Sequence, residues 1–462
     1  MEAHADLSKL RLALARWVPA SAGALAQALQ VSVPTVHRML QALPAGELHT
    51  AGKARRTRYG LKRALRGGQG EWPVYAIDAA GQAHEAGRLV LLRPDRSWLD
   101  LKPSGWPVPD EARGGWWPGL PYPVLDMRPQ GYMGRLFARA EHEQLGVAPD
   151  PRAWTDDDVL HVLLQRGSDA SGNLVIGDVA FRAWQRSRRD AAPPLEAGQT
   201  AQAYARLAEQ AVTVGVPGSS AAGEFPKFAA RRLAPEGRDS DTPHVLVKFS
   251  GADDSPAVRR WSDLLVCEHL ALAHMRALPG VLAARSRILA HAGRTFLEVE
   301  RFDRHGEFGR SPLATLDSLN AALIGMHVSD WSAVARHLAA EHLIAGEDVL
   351  RLQRLWWFGR LIANTDMHAG NLSFRPHAGR LELAPAYDML PMLQAPLPGG
   401  EAPTREFDPP LPLPGERTAW HEACRVALDF WEAAAQDTRI SAPFRTECER
   451  AASALRRASS VA

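Results

Sequence analysis

Between Leu352 and Asp388 the chain reads LQRLWWFGRLIANTDMHAGNLSFRPHAGRLELAPAYD, and this stretch fixes more of the fold than any other. Its first part has the apolar density of a buried helix, running through Leu361 or Ile362. The polar loop NTDMHAGN follows, and then two short apolar runs, NLSF and RLELAP, flank a turn at HAGR. Such a pattern predicts a hairpin. A hairpin returns the chain on itself, so Asn371 at its entrance and Asp388 at its exit become neighbours although they lie far apart in sequence.

Asn371 and Asp388 offer two oxygen-bearing side chains, the ligand chemistry that suits magnesium, which keeps part of its water shell. Asp366 stands five residues before Asn371. That spacing, D-x-x-x-x-N, meets the mechanical need of a phosphotransfer loop, in which a carboxylate orients and deprotonates an alcohol while the amide holds a metal. His368 lies between them and has two readings: a group that orders the loop, or a metal ligand with Asp366 and Asp388 in a hydrolase.

Upstream, HVLVKFS predicts a strand with Lys248 between Val247 and Phe249. An amine in an apolar strand is costly unless it faces solvent or an anion. About 20 to 30 residues earlier comes GVPGSSAAGEFPKF, in which Gly215, Gly218 and Gly223 with Ser219 and Ser220 form a small-residue turn. Its backbone N–H groups could approach a phosphate, although it is not a Walker A sequence. A glycine-rich turn followed by a strand lysine is the arrangement of a nucleotide clamp. WSDLLVCEHLALAHM then supplies a helix from which Glu268 or Asp263 could orient Lys248. RTFLEVERFDR predicts another strand, and the backbone around Glu300 and Phe302 could receive an adenine edge if this strand joins two lobes.

Charge is uneven along the chain. Residues 1–66 hold 11 Lys or Arg against 3 Asp or Glu, a local +8, which leaves −6 for the remainder of a +2 protein. Three short helical patterns fill this basic end, the second behind Ser21 and the third, VPTVHRMLQAL, behind Ser32 with Pro34 in its first turn. The basic segment AGKARRTRYGL follows. The order predicts a winged helix-turn-helix, with Thr35, His37 and Arg38 on the third helix facing base edges, and Lys53, Arg55, Arg56 and Arg58 in the wing facing phosphates. All seven basic residues from Lys53 to Arg66 count as phosphate candidates. The bland alternative is a small helical domain with a solvated basic face.

The middle is less legible. WPVYAID and RLVLLRPD predict two antiparallel strands, and residues 102–125, rich in Pro, Gly and Trp, read as an ordered connection across a surface. DMRPQGYMGR predicts a turn onto a short helix, TDDDVLHVLLQRG a capped amphipathic helix, SDASGNLVIGDVAF a loop and short strand, and QAYARLAEQAV a helix. Seven prolines between Pro396 and Pro414 exclude a continuous helix and predict an ordered loop or substrate-side cover. Two closing helices follow. Three cysteines without ligand spacing favour a reducing compartment, no apolar run is long enough for a membrane span, and the amino terminus lacks a secretory pattern.

SSAAGEFPKF, HVLVKFS, VERFDR, NTDMHAGN and PAYDMLP, in that order, give the chain a resemblance to the HipA-like serine/threonine kinase toxin family over residues 120 to 450. The basic module ahead of them resembles the fused, YjjJ-like branch. The resemblance implies an α+β, two-lobed protein-kinase-like fold divided as 1–66 (winged helix-turn-helix), 67–302 (N-terminal lobe with a HipA-like subdomain) and 303–462 (mainly helical C-terminal lobe). It implies ATP and Mg2+ as cofactors, Lys248 with Ser220 and Gly223 at the ATP phosphates, Glu300 and Phe302 at an adenine-binding hinge, Asp366 as catalytic base with His368 as loop histidine, and Asn371 and Asp388 on magnesium. Ser220, with Ser219 as its alternative, matches an autophosphorylation position, where added charge would oppose nucleotide binding. EFPK around Lys227 departs from the family's Gln and Glu at this point. The implied partners are a protein substrate, an aminoacyl-tRNA synthetase among the candidates, DNA through the head, and an antitoxin. The implied location is the cytoplasm, at the nucleoid when the head holds DNA. The competing class is a DNA-binding regulator or antitoxin-like scaffold whose kinase-shaped body only binds a ligand.

Overall fold

The computed structural model describes residues 2–214, 225–234 and 240–462. Gly215, Gly218, Ser219, Ser220 and Gly223 lie outside these residues, and with them the nucleotide-loop and autophosphorylation expectations.

At the amino end, helices Glu2–Arg16, Ala22–Leu29 and Val33–Gln41 precede an antiparallel pair, Leu48–Ala51 with Arg58–Leu61, in which Thr50 stands opposite Tyr59. Ser21 Oγ accepts from Ala24 N at 3.1 Å and Ser32 Oγ from Thr35 N at 3.3 Å. Each cap satisfies a helix-end N–H that would otherwise lack a partner, a contribution of about 1 kcal/mol. Leu10, Leu14, Leu25, Val36, Leu40 and Leu61 close a small core of their own. Three of the seven basic residues from Lys53 to Arg66 are taken up by acids of the following unit. Lys62 pairs with Glu71 at 2.6 Å, Arg63 grips Asp157 through two bonds of 2.7 and 2.8 Å, and Arg66 reaches Asp158 at 2.5 Å. The phosphate count therefore shrinks to Lys53, Arg55, Arg56 and Arg58. His49 completes the junction, its ring 4.5 Å from Trp98 and 5.4 Å from Trp116, where burial lowers its pKa to about 4 and keeps it neutral.

The next unit is a five-stranded antiparallel sheet in the order Trp116–Trp117, Arg96–Trp98, Ala83–Leu92, Glu71–Ile77, Leu174–Ile176. The expected pair is present, with three further strands around it. Residues 102–125 are not a surface connection: Trp106, Trp116, Trp117 and Tyr122 are each 3% exposed. Their aromatic area is the reason. Tyr122 donates to Pro107 O and Trp117 to Leu99 O, so the polar tips also find partners and nothing opposes burial. The helix after Gly131 is not short; it runs Gly131–Leu145, and Gly134 allows its first turn to lie against the Pro129 backbone. The strand at Leu174 ends after three residues, and GDVAF, expected as strand, opens the helix Gly177–Arg189. Thr155 and Asp158 form the reciprocal cap of Asp156–Arg166.

A second, four-stranded antiparallel sheet follows in the order Ser286–His291, Arg294–Glu300, His244–Phe249, Lys227–Arg231, backed by the helix Pro256–His274. The chain then becomes mainly helical, with Trp331–Ala340, Gly346–Leu361, Arg417–Gln436 and Ala442–Ser459 around Trp331, Trp420 and Trp431. The hairpin Ser373–His377 and Arg380–Leu383 forms as its sequence predicts, with Ala314–Thr315 as a third strand. The proline-rich stretch is an ordered loop in which Gln394 donates to Arg405 O at 2.6 Å and accepts from Arg405 N. No described helix is long and apolar enough to cross a membrane.

Candidate active site

Lys248 lies on an inner strand of the four-stranded sheet, opposite Leu297 on one neighbour and Lys227 on the other. It is 7% exposed, so the surface-facing alternative is excluded. Its Nζ donates to both carboxylate oxygens of Glu268 at 2.7 Å and makes a short contact with Asp388 Oδ1. Glu268, not Asp263, is thus the orienting acid; Asp263 instead accepts from Ser441 N and Oγ. One ammonium serves two carboxylates. Asp388 is held down at about 2 by the Lys248 charge overcoming its burial, whereas burial and the adjacent Asp388 push Glu268 upward. Glu268 is 1% exposed, whereas Asp388 retains a quarter of its side-chain exposure.

Lys227 is a site residue that sequence spacing leaves unassigned. Residues directly opposite in an antiparallel pair project from the same face, so Lys227 and Lys248 point the same way. The Lys227 charge acts favourably on both Glu268 and Asp388. Phe225 places its ring 5.7 Å from Lys248 Nζ and shields that side.

On the other wall, the helix Gly346–Leu361 ends and the loop turns outward. Ala363 adopts a positive φ of 59°, and Asp388 does the same at 54°. Asn364, 4% exposed, ties these two turns: its Oδ1 accepts from Asp366 N at 3.0 Å and its Nδ2 donates to Asp388 O at 3.4 Å. No sequence signal separates this asparagine from an ordinary helix-ending residue. Asn371 Nδ2 donates to Asp366 O at 2.8 Å, which commits the amide nitrogen to the loop and leaves Oδ1 to serve as an acceptor elsewhere. Tyr387 donates to Gly370 O at 2.8 Å and bonds Ser373 Oγ at 2.7 Å, bringing the loop beside Asp388 as the hairpin argument requires. His368 Nδ1 accepts from Gly370 N at 3.0 Å, and its Nε2 is 3.9 Å from Asp366 Oδ1. That geometry is a loop cap. No cluster of three or more His, Cys, Asp or Glu suited to a metal occurs among the described residues, so the hydrolase alternative gains no ligand set. One carboxylate, on Asp388, and one amide oxygen, on Asn371, have the donor chemistry of a hard cation that keeps part of its water.

The strand Arg294–Glu300 leads into Phe302, whose ring lies 5.6 Å from Tyr387 and whose carbonyl accepts from Arg375 at 2.5 Å. Glu300 spends its side chain on Arg232 and Ser240, both at 2.6 Å. Behind it, Glu298 accepts from Arg232, Arg287 and Tyr204 within 2.8 Å, a buried network that stiffens this edge. Below it, Asp303 and Asp169 bind Arg301 and Arg304, clamping the segment to the five-stranded unit.

In the head, His37 and Arg38 are exposed on the third helix, while Thr35 is half-buried with its hydroxyl bonded to Ser32 and Arg38. Lys53, Arg55 and Arg56 are exposed at the hairpin tip, and Arg58 is half-buried, donating to the Arg55 and Thr57 carbonyls.

Residues 68–185 match the family described as YjjJ-like toxin, middle domain, and residues 219–459 the HipA-like C-terminal domain. Toxin YjjJ of Escherichia coli (strain K12) is 36% identical over 428 residues, 92% of this chain and 93% of that one. Among solved structures, HipA of Shewanella oneidensis MR-1, in a complex with HipB and operator DNA, is 16% identical with a TM-score of 0.49, over 84% of this chain and 96% of that one. The Helicobacter pylori proinflammatory kinase CtkA is 13% identical with a TM-score of 0.34, over 51% and 88%. On the two family matches and the relative matched over 92% of this chain, the chain belongs to the HipA/YjjJ toxin family.

Proposed function

We propose that the chain is an ATP- and Mg2+-dependent protein serine/threonine kinase of a toxin system, with a DNA-binding head. The observation that carries this reading is the Lys248–Glu268–Asp388 triad, joined through Asn364 and Tyr387 to the loop of Asp366 and Asn371. When bound, ATP with its magnesium supplies a transferable phosphoryl group and the charge neutralisation that its transfer needs. Lys248 and Lys227 hold the phosphates, with Glu268 keeping Lys248 aimed. Asn371 and Asp388 present oxygens to the cation. Asp366, half-exposed at the cleft, accepts the proton of the incoming hydroxyl. The backbone from Glu300 to Phe302 takes the adenine edge, against the Tyr387-supported ring of Phe302.

The substrate in this reading is a protein hydroxyl, an aminoacyl-tRNA synthetase being one candidate, and Ser220 or Ser219 is the self-modified residue. The head meets duplex DNA through His37 and Arg38 with Lys53, Arg55 and Arg56 on phosphates. An antitoxin is a further partner in this reading. Incubation of the purified chain with γ-labelled ATP and cell extract should label a discrete protein, with label lost when magnesium is chelated or when Asp366→Asn replaces the parent. Equal labelling by parent and variant would refute the assignment.

A further inference from the structure

The helix Gly177–Arg189 carries a feature that the kinase reading leaves unused. Arg182, Arg186 and Arg189 are all exposed and recur at helical i, i+4, i+7 spacing, so they form one basic stripe. Among the described residues Arg182 and Arg186 have no ion pair, and Arg189 pairs with Asp190, an exposed neighbour at the helix end. The other nearby acid on the helix, Asp178, is engaged by the Tyr75 hydroxyl at 2.8 Å, and Glu85 of the adjacent strand lies within electrostatic reach of the same tyrosine.

Beside the stripe runs a groove of about 570 Å3 lined by Gln82, Phe181, Trp184, Gln185, Arg188 and Phe308. Its floor is a closed stack, Tyr75 on Phe181 at 3.9 Å and Phe181 on Trp184 at 5.5 Å, with Trp184 4% exposed, so the ring open to a ligand is the half-buried Phe308. The Arg188 guanidinium is held between Trp184 (4.9 Å) and Phe308 (5.1 Å) and anchored by a bond to Gly81 O. Gln82 and Gln185 are exposed at the rim, where amides can meet base edges.

We infer that this face binds a single-stranded nucleic acid, with an unpaired base in the aromatic and guanidinium groove and consecutive phosphates on Arg182, Arg186 and Arg189. Rings interleaved with arginines suit a strand whose bases are free to stack; a duplex hides its base faces, and an acidic peptide has charge but no rings for the groove. The face lies beside the turn joining Glu71–Ile77 to Ala83–Leu92, whereas the head joins this sheet at the opposite strand ends, through Lys62 to Glu71 and to Leu92. It is therefore a second site, separate from the head.

The test uses the full chain with His37→Ala, Arg38→Ala, Lys53→Ala, Arg55→Ala and Arg56→Ala in every arm, so that the head does not contribute. Fluorescence anisotropy would follow labelled 12-nucleotide RNA, the same sequence as DNA, and a 12-base-pair duplex. Either single strand should bind more tightly than the duplex, and the RNA and DNA arms identify which source is preferred. Adding Arg182→Ala, Arg186→Ala and Arg189→Ala should lower the salt slope by about 2 and weaken binding about 100-fold at 0.1 M salt, the expectation for three lost phosphate contacts on a single strand. Phe308→Ala should weaken binding while leaving that slope unchanged. Unaltered binding in the triple arginine variant, equal duplex affinity, or equally effective displacement by polyglutamate would overturn the inference. Thermal melting of each variant checks that its fold is intact.

Discussion

Replacing Lys248 by methionine removes one charge from between two carboxylates while retaining most of the side-chain volume. In the parent, Asp388 is held at about 2 against an ordinary value near 3.8, worth roughly 2 to 3 kcal/mol of stability at neutral pH. That figure is an upper one, because 25% of the Asp388 side chain meets solvent and water screens the pair. Since the folded-state pKa is depressed, the contribution is complete above about pH 4 and is lost as pH falls through about 2. In Lys248→Met the sign reverses: Glu268 and Asp388 lose the ammonium between them and keep only the Lys227 charge, so their pKa values rise and the folded variant binds protons that its unfolded chain releases. A buried pair with one partner removed typically costs about 3–5 kcal/mol. Urea unfolding without nucleotide, followed by tryptophan fluorescence, should show this gap at pH 7.5, narrowing to about 2 kcal/mol or less at pH 5 as the carboxylates protonate. A gap below about 1 kcal/mol at pH 7.5, or one that does not change with pH, would refute the shared-charge account.

Asp366→Asn should leave melting temperature and nucleotide affinity close to those of the parent while lowering transfer at least about 100-fold, as single-turnover labelling would show. Glu298→Gln should destabilise the chain by about 3 kcal/mol at pH 7, because Arg232 and Arg287 lose a buried anion; denaturant titration against Arg287→Gln alone measures it. Because Glu298 is held below the usual carboxylate range by those arginines, the parent should lose this advantage as pH falls below about 4. Arg55→Ala with Arg56→Ala should lower the salt slope of duplex binding by about 2, whereas Arg63→Ala with Arg66→Ala should leave the slope unchanged and make the head more susceptible to proteolysis.

What the sequence reveals is governed by how locally each feature is determined. Ser21, Ser32 and Thr155 mark helix starts because a cap acts over three residues. The hairpin at 373–383 is read correctly because its turn and alternation are contiguous. Lys248 signals itself by being charged inside an apolar strand, but its partner does not: Glu268 and Asp263 lie five residues apart on one helix, and only the packing of that helix decides between them. Arg232, Glu298, Asp303 and Arg304 look like surface charges in one dimension, and only long-range pairing justifies their burial. The same blindness inflates the phosphate count of the wing, since Asp157 and Asp158 are about 90 residues from the arginines they bind. The tryptophans of 102–125 fail differently, because proline and glycine mask a buried segment as a loop.

Asp126 gives the architecture its mechanical character. This carboxylate, 5% exposed, comes from the five-stranded unit, between its strands Trp116–Trp117 and Leu174–Ile176, and accepts from Thr315 N, Thr315 Oγ1 and Ser318 Oγ at the start of the helix Leu316–Leu319. With the Asp169 cluster on Arg301 and Arg304, it bolts the connection between the lobes to a third body on two sides. A joint braced in this way has little freedom to swing. Ligand capture would then proceed by rearranging the charges that line the cleft, starting with the release of Asp388 by Lys248, and the outline of the molecule would change little on loading.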